Sequence, residues 1–191
     1  SPRFRASRRL EGRARLVWVG IGLVELSWAA ANVVWAWYEL VLHEDVPTPS
    51  AADWLYSAAL LIGLTAVAAG LLPLIHGRSG ALRALLDVVL VGGALLFVSW
   101  SVVLAAMLAD DRANVVQTIT WLYPALGVTA STVALTTMTR VPARSRLPWL
   151  LVGAGFLVGA GADTVWAYAN VTGGFAAGGM LDPFWIAAYG T

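Results

Sequence analysis

The sequence predicts an all-α protein, a polytopic bundle of about six transmembrane helices. Charged residues make up 12% of the chain and its mean hydropathy is +0.75, whereas a soluble domain carries roughly 25% charged residues. The apolar segments are also as long as the roughly 20 residues that a helix needs to cross a bilayer, which is too long for strands. Lipid must therefore cover most of the surface, and a backbone in lipid satisfies its own hydrogen bonds by forming helices.

Six apolar segments are separated by short connectors rich in proline, glycine and charged residues. The predicted spans are residues 15–40, 52–75, 81–109, 114–139, 147–170 and 181–191, the last of which is incomplete. Residues 1–14 form a basic segment ahead of the first span. Ser50 and Ser79 are candidate N-caps of the second and third helices, because a serine hydroxyl accepts hydrogen bonds from free backbone N–H groups.

The arginines indicate how the helices are oriented. Eleven of the twelve basic residues lie before the first span or in and beside the connectors that precede the third and fifth spans, and only Arg112 lies elsewhere. Since arginine concentrates on the cytoplasmic side, this alternation predicts a multi-pass protein of the plasma membrane with a cytoplasmic N-terminus. The acids expected at the outer face are Glu39, Glu44, Asp45, Asp53, Asp110, Asp111 and Asp182.

The first and last pairs of predicted helices resemble each other in sequence. The matched residues are Asn32 with Asp163, Trp35 with Trp166, and Asp53 with Asp182. Each of the last two aspartates is followed three residues later by an aromatic residue, Tyr56 or Trp185. Because the two similar pairs are four spans apart, we expect a duplicated 4+4 architecture of eight helices, of which this chain is a fragment.

Several short motifs resemble a known family. Residues 35–40, with the pattern Trp35-x-x-Tyr38, and residues 47–56, ending in Ala52-Asp53-x-x-Tyr56, are similar to integral-membrane input domains that precede GGDEF and EAL domains in actinobacterial cyclic-di-GMP signalling proteins. Tyr123-Pro124 and residues 178–185 resemble later landmarks of that family. The resemblance implies a sensory module with a cytoplasmic diguanylate cyclase or phosphodiesterase domain outside this chain, and a homodimer formed through that domain.

The aromatic residues indicate a candidate ligand site. Twelve are expected near the outer face and only four near the inner one, whereas interfacial belts decorate both faces. We interpret the excess as an aromatic pocket suited to an apolar or cationic small molecule, with a one-sided belt as the alternative. The candidate pocket residues are Asn32, Trp35, Tyr38, Asp53, Tyr56, Trp121, Tyr123, Asp163, Trp166, Asp182 and Trp185.

Plainer interpretations stand beside the ligand site. Asp53 and Asp182 each begin a helix, where a carboxylate caps the backbone and favours the helix dipole. Asn32 and Asp163 could form a polar pair that ties two helices together. Glu25 lies about ten residues past Arg15, or about 15 Å into the bilayer. Such an acid either takes up and releases a proton or contacts a ligand. Alternatively, it is protonated and hydrogen-bonds to a neighbouring helix, such as the threonine-rich fourth span.

Composition excludes several kinds of chemistry. The chain has no cysteine or lysine, so disulfides, thiolate metal sites and lysine Schiff bases cannot form. His43 and His76 are expected at opposite faces, which leaves no histidine pair for a metal or haem. We therefore predict no catalytic residues, no metal ligands and no cofactor in this chain. Its expected surroundings are the lipid bilayer, and nucleic acid is not an expected partner.

The leading functional hypothesis is a sensory module that couples an extracytoplasmic or intramembrane signal to a cytoplasmic output domain. The alternatives are a small transporter or channel, for which internal repeats and an acid such as Glu25 are typical, and a structural subunit of a larger membrane complex.

Overall fold

The computed structural model describes residues 2–47, 49–107, 115–172 and 181–189. All the regular elements in these ranges are helical, as the sequence predicts. The helices are α1 (Pro2–Trp37), α2 (Ala51–Leu71), α3 (Gly77–Asp87), α4 (Gly93–Met107), α5 (Val115–Arg140), α6 (Arg146–Thr172) and α7 (Asp182–Tyr189). Short helical turns extend or join them: two π-helical turns at Tyr38–Leu42 and Val88–Gly92, and two 3₁₀ turns at Leu72–Leu74 and Ala143–Ser145.

Four helical segments within the described residues are long and apolar enough to cross a membrane. They are Ala14–Leu42, Ala51–Leu74, Gly77–Ser101 and Ala143–Asn170. Large apolar side chains on them are exposed, such as Leu90 at 67% and Phe97 at 65%. A surface of this kind is stable in lipid but not in water, which indicates a membrane protein.

Helix α5 is as long as these segments but more polar. Its 26 residues carry buried hydroxyl side chains, namely Thr120, Ser131, Thr132, Thr136 and Thr137. Several of these hydroxyls donate to backbone carbonyls: Thr132 Oγ1 to Val128 O at 2.8 Å, and Ser131 Oγ to Gly153 O of α6 at 2.7 Å. Because neighbouring helices cover α5, its side chains need not be apolar enough to face lipid.

The beginnings of two helices differ from the expected boundaries. Helix α1 is continuous from Pro2, so the basic residues before position 15 belong to the same helix as the first span. Ser50 is the N-cap of α2, as predicted, whereas Ser79 lies inside α3. The N-cap of α3 is His76, and the next residue is Gly77 with φ of 69°, a conformation that glycine tolerates.

Helices α1 and α2 are antiparallel neighbours, as are α5 and α6, whereas α2 and α5 pack side by side in parallel. Helix α4 packs against α5 and α6, and α7 packs against α6. Glycine allows close approach at two of these contacts. A Cβ atom on Gly20 would lie 2.6 Å from Ala66 Cβ, and one on Gly153 would lie 2.8 Å from Leu135 Cδ2. Hydroxyl groups add cross-links, such as Ser27 Oγ to Leu55 O at 2.8 Å.

The two ends of the bundle differ in charge. The connectors at residues 72–76 and 141–145 lie at one end, where Arg140 forms an ion pair with Asp87 of α3 at 2.9 Å. Asp87 is 55% exposed, in agreement with an interfacial position. Residues 43–47 and 49–50 lie at the other end. An apolar cluster that includes Val67, Leu71 and Val133 separates the two ends.

Candidate functional site

A cavity of about 360 Å³ opens at the end of the bundle opposite Arg140. Five helices, α1, α2, α5, α6 and α7, contribute to its wall. The lining residues are Trp28, Asn32, Trp35, Ala36, Glu39, Asp53, Tyr56, Leu60, Tyr123, Asp163, Trp166, Asp182 and Trp185. Its size falls at the lower end of the range for small-molecule sites.

Helix α1 contributes one stripe of side chains to this cavity. Trp28, Asn32, Trp35 and Glu39 are separated by four, three and four residues, so they lie on one face of the helix. The Asn32 Nδ2 group donates to Trp28 O at 2.9 Å, and Trp35 Nε1 donates to Glu39 Oε1 at 2.8 Å. These bonds within the helix fix the orientation of the stripe.

Helix α2 contributes Asp53 at its N-terminus. The side chain is 3% exposed, and Oδ2 accepts hydrogen bonds from Ser50 N at 2.6 Å and Ser50 Oγ at 3.0 Å. Its other oxygen, Oδ1, accepts the Tyr123 hydroxyl of α5 at 2.7 Å. The capping interpretation of Asp53 therefore describes its geometry, and both of its oxygens are already engaged.

Asp163 on α6 is held by a residue of the neighbouring helix α7. Trp185 Nε1 of α7 donates to Asp163 Oδ1 at 3.0 Å. No hydrogen bond to the second oxygen forms among the described residues, and the side chain is partly exposed to the cavity. Asp182 is the first residue of α7, where its carboxylate lies near free backbone N–H groups.

Three aromatic rings form a continuous wall beside these acids. The centroids of Tyr123 and Trp166 are 5.8 Å apart with their planes tilted by 47°. Those of Tyr56 and Tyr123 are 6.4 Å apart with an interplanar angle of 80°. Trp166 and Tyr123 are both buried, with 7% and 5% exposed, so this wall is part of the packed core.

Nine of the eleven candidate pocket residues line the cavity, whereas Tyr38 and Trp121 do not. Tyr38 is six residues after Asn32, which places it roughly 120° around the helix at about 100° per residue. Trp121 is two residues before Tyr123 and so lies on nearly the opposite face of α5. There it packs against Trp100 of α4, with ring centroids 5.9 Å apart, beside a separate open groove.

All six residues matched by the internal repeat line this one cavity. The pairs are Asn32 with Asp163, Trp35 with Trp166, and Asp53 with Asp182. The α1–α2 and α6–α7 hairpins thus contribute similar residues to the same site. A direct polar pair between Asn32 and Asp163 is absent from the described hydrogen bonds, because Asn32 donates to its own helix and Asp163 accepts from Trp185.

Four lining residues were missed from the sequence: Trp28, Ala36, Glu39 and Leu60. Trp28 and Glu39 carried a usable signal, since they continue the helical spacing of Asn32 and Trp35 in both directions. Leu60 carried none, because an apolar residue in an apolar helix does not differ from its neighbours.

Glu25 faces a second, smaller cavity of about 60 Å³. Leu60 and Asp163 line both cavities, so the smaller one lies directly beneath the larger. The expected hydrogen bond from Glu25 to α5 is absent from the described part of the chain. The α5 hydroxyls instead bond to backbone carbonyls, as Thr129 Oγ1 does to Ala125 O at 2.7 Å.

The described residues contain no group of three or more histidine, cysteine or acidic side chains placed to hold a metal ion. No protein-family model, no curated protein and no solved structure matches this chain. The function proposed below is therefore based on the cavity and the residues that line it.

Proposed function

We propose that this chain is a membrane-embedded sensory module that binds a small molecule in the aromatic cavity and relays its occupancy to an output domain beyond the chain. The observation that carries the proposal is that nine of the eleven candidate residues, from five helices, line one cavity. Because five helices form the wall of the site, a bound ligand can change the packing of these helices against each other.

Helix α5 is a suitable relay. It presents Tyr123 to the cavity and ends at Arg140, seventeen residues later, which is about 26 Å along the helix axis. Arg140 contacts Asp87 there, so a displacement of α5 at the cavity would reach α3 at the opposite end. The buried hydroxyls of α5 keep it packed within the bundle along this distance.

The same proposal includes the membrane arrangement. The module would have six spans in the plasma membrane, a cytoplasmic N-terminus and a cavity open to the outer side, within a duplicated eight-helix architecture. The output would be cyclic-di-GMP turnover in the cytoplasm, in a protein that dimerises through its output domain. The arginine distribution and the resembling motifs at residues 35–40 and 47–56 support this part.

The direct test uses the full natural polypeptide. Its intact mass should exceed 20.2 kDa, and the added part should contain a GGDEF or EAL domain. Trp35→Ala and Asp163→Asn should then change cyclic-di-GMP turnover in membranes, whereas Trp121→Ala, outside the cavity, should not. A natural protein without such a domain, or equal turnover by all variants under every condition tested, would refute the sensory function.

Transport is the second candidate, and one observation favours it. Asp163 lines both cavities, and Glu25 faces the deeper one, so acidic groups lie along a line from the outer end toward the membrane interior. Flux of a cation into proteoliposomes that is lost in Glu25→Gln and retained in Asp87→Asn would support transport over sensing.

A further inference from the structure

Acidic side chains line the larger cavity. Its lining includes four carboxyl groups, those of Glu39, Asp53, Asp163 and Asp182, and among the described residues no arginine or histidine lines it. Among the described residues none of these four acids forms an ion pair, and the ion pair recorded there joins Arg140 and Asp87 at the far end. Within the part of the chain that the structure describes, the negative charge of this cavity therefore has no basic counterpart.

The acids differ in how much hydrogen-bonding capacity they retain. Asp53 accepts three side-chain or backbone donors through its two oxygens, so its capacity is largely used within the fold. Asp163 accepts one donor from the described residues, Trp185 Nε1, on a single oxygen. Asp163 is thus held in place by one bond while its second oxygen remains available to a molecule in the cavity.

Aromatic rings surround these acids. Trp28, Trp35, Tyr56, Tyr123, Trp166 and Trp185 all line the cavity. The polar edges of three of them are directed at carboxylates, in the bonds from Trp35 to Glu39, Tyr123 to Asp53 and Trp185 to Asp163. Since a cation is attracted to the face of an aromatic ring within about 6 Å of its centroid, walls of this kind bind positive charge and repel anions.

We propose that the cavity binds a small organic cation, an amine or quaternary ammonium, whose charged head lies against Asp163 and the rings of Trp166 and Trp185. The proposal deepens the sensory function and rests on it only in taking the cavity to be the ligand site. The enclosed volume, the rings and the available oxygen of Asp163 define this site together, because acids alone would hold water or metal ions equally well. A cavity of about 360 Å³ suits a small molecule or a single lipid headgroup.

The test is isothermal titration calorimetry on the purified protein in maltoside micelles, which contain no ammonium group. The probes are tetramethylammonium, choline and the neutral analogue of choline in which carbon replaces the quaternary nitrogen. We expect the two cations to bind saturably and the neutral analogue to bind at least tenfold more weakly, because it keeps the shape of choline but lacks the charge.

Two variants locate the binding site. Asp163→Asn keeps an acceptor for Trp185 Nε1 and should weaken cation binding tenfold or more. Asp45→Asn removes an exposed carboxylate at the same end of the bundle, outside the cavity lining, and should leave binding unchanged. Should Asp163→Asn fail to fold, Trp166→Phe serves instead, with a several-fold loss expected because phenylalanine attracts cations less than tryptophan.

Equal binding of choline and its neutral analogue would overturn the cation proposal in favour of an apolar ligand and leave the sensory function standing. The absence of binding by both cations would also overturn it. The sensory function fails separately, when cations bind but turnover by the full protein does not respond. A short-chain phosphatidylcholine that binds more tightly than choline would assign the cation to a lipid headgroup, and the reverse order would assign it to a free solute.

Discussion

The Tyr123 hydroxyl donates to Asp53 Oδ1 at 2.7 Å and so ties the N-terminal third of α5 to the first turn of α2. Both residues are buried, and both line the cavity. The bond therefore serves two purposes. It stabilises the contact between α2 and α5, and it fixes one wall of the site at the position where α5 contains Pro124 and lacks one helical hydrogen bond.

Replacing Tyr123 by phenylalanine should destabilise the fold. The change keeps the ring but leaves the buried Asp53 without one of its three donors, at a cost of about 1–2 kcal/mol. A lower midpoint of thermal unfolding in detergent would show it. Tyr56→Phe is the matched control, because the Tyr56 hydroxyl forms no hydrogen bond among the described residues; equal losses in the two variants would contradict the assignment.

Close packing between α1 and α2 depends on Gly20. Gly20→Ala places a methyl group 2.6 Å from Ala66 Cβ, so the two helices must move apart at a cost of about 1–3 kcal/mol. Gly22→Ala meets nothing within 4 Å and should be neutral or stabilising by up to about 1 kcal/mol, since alanine favours helix. Unfolding curves of the two variants measure these changes in stability. A Gly20→Ala protein as stable as the wild type would mean that α1 and α2 are further apart at this contact than the structure shows.

The ion pair between Arg140 and Asp87 should contribute little to stability. Asp87 is more than half exposed, and exposed pairs are worth at most about 1 kcal/mol. A double-mutant cycle with Asp87→Asn and Arg140→Gln, followed by unfolding at low and high salt, measures the coupling. We expect a small coupling that salt removes, and a larger one that resists salt would indicate that the pair is buried by lipid or by a partner.

Single cysteines can report the topology, because the chain contains none of its own. With the proposed orientation, Asp45→Cys should react with a membrane-impermeant maleimide in intact cells, whereas Ala143→Cys should react only after permeabilisation. The reverse pattern would invert the protein in the membrane. Reaction of both in intact cells would mean that an even number of spans separates them, so that one of the helices between the two positions does not cross the bilayer.

Much of the site was accessible from the sequence because polar and aromatic residues are conspicuous in apolar helices. Asp163 and Trp166 are examples, and the internal repeat relates them to Asn32 and Trp35 by sequence alone. Helical spacing would have added Trp28 and Glu39 to the same stripe. The helical class and the membrane character followed from composition and segment length.

Other features of the site and of the fold cannot be predicted from the sequence, for physical reasons. Trp121 and Tyr123 are both aromatic and two residues apart, so composition cannot tell which of them faces the cavity and which faces α4. Which residues face Glu25 across the smaller cavity depends on the rotation of α1 relative to α6, and the hydropathy of a segment contains no information on that rotation. The start of α3 depended on the backbone of Gly77 rather than on the nearby Ser79.

The length of α1 has a mechanical consequence. The helix Pro2–Trp37 has 36 residues and is about 54 Å long, whereas the hydrocarbon core is only about 30 Å thick. Its arginine-rich end therefore extends well beyond the lipid, while the other end of the same helix carries Asn32 and Trp35. A tilt of about 5° about the cavity end of such a helix would displace its far end by about 5 Å, so a ligand that tilts α1 slightly would move its opposite end by several ångströms.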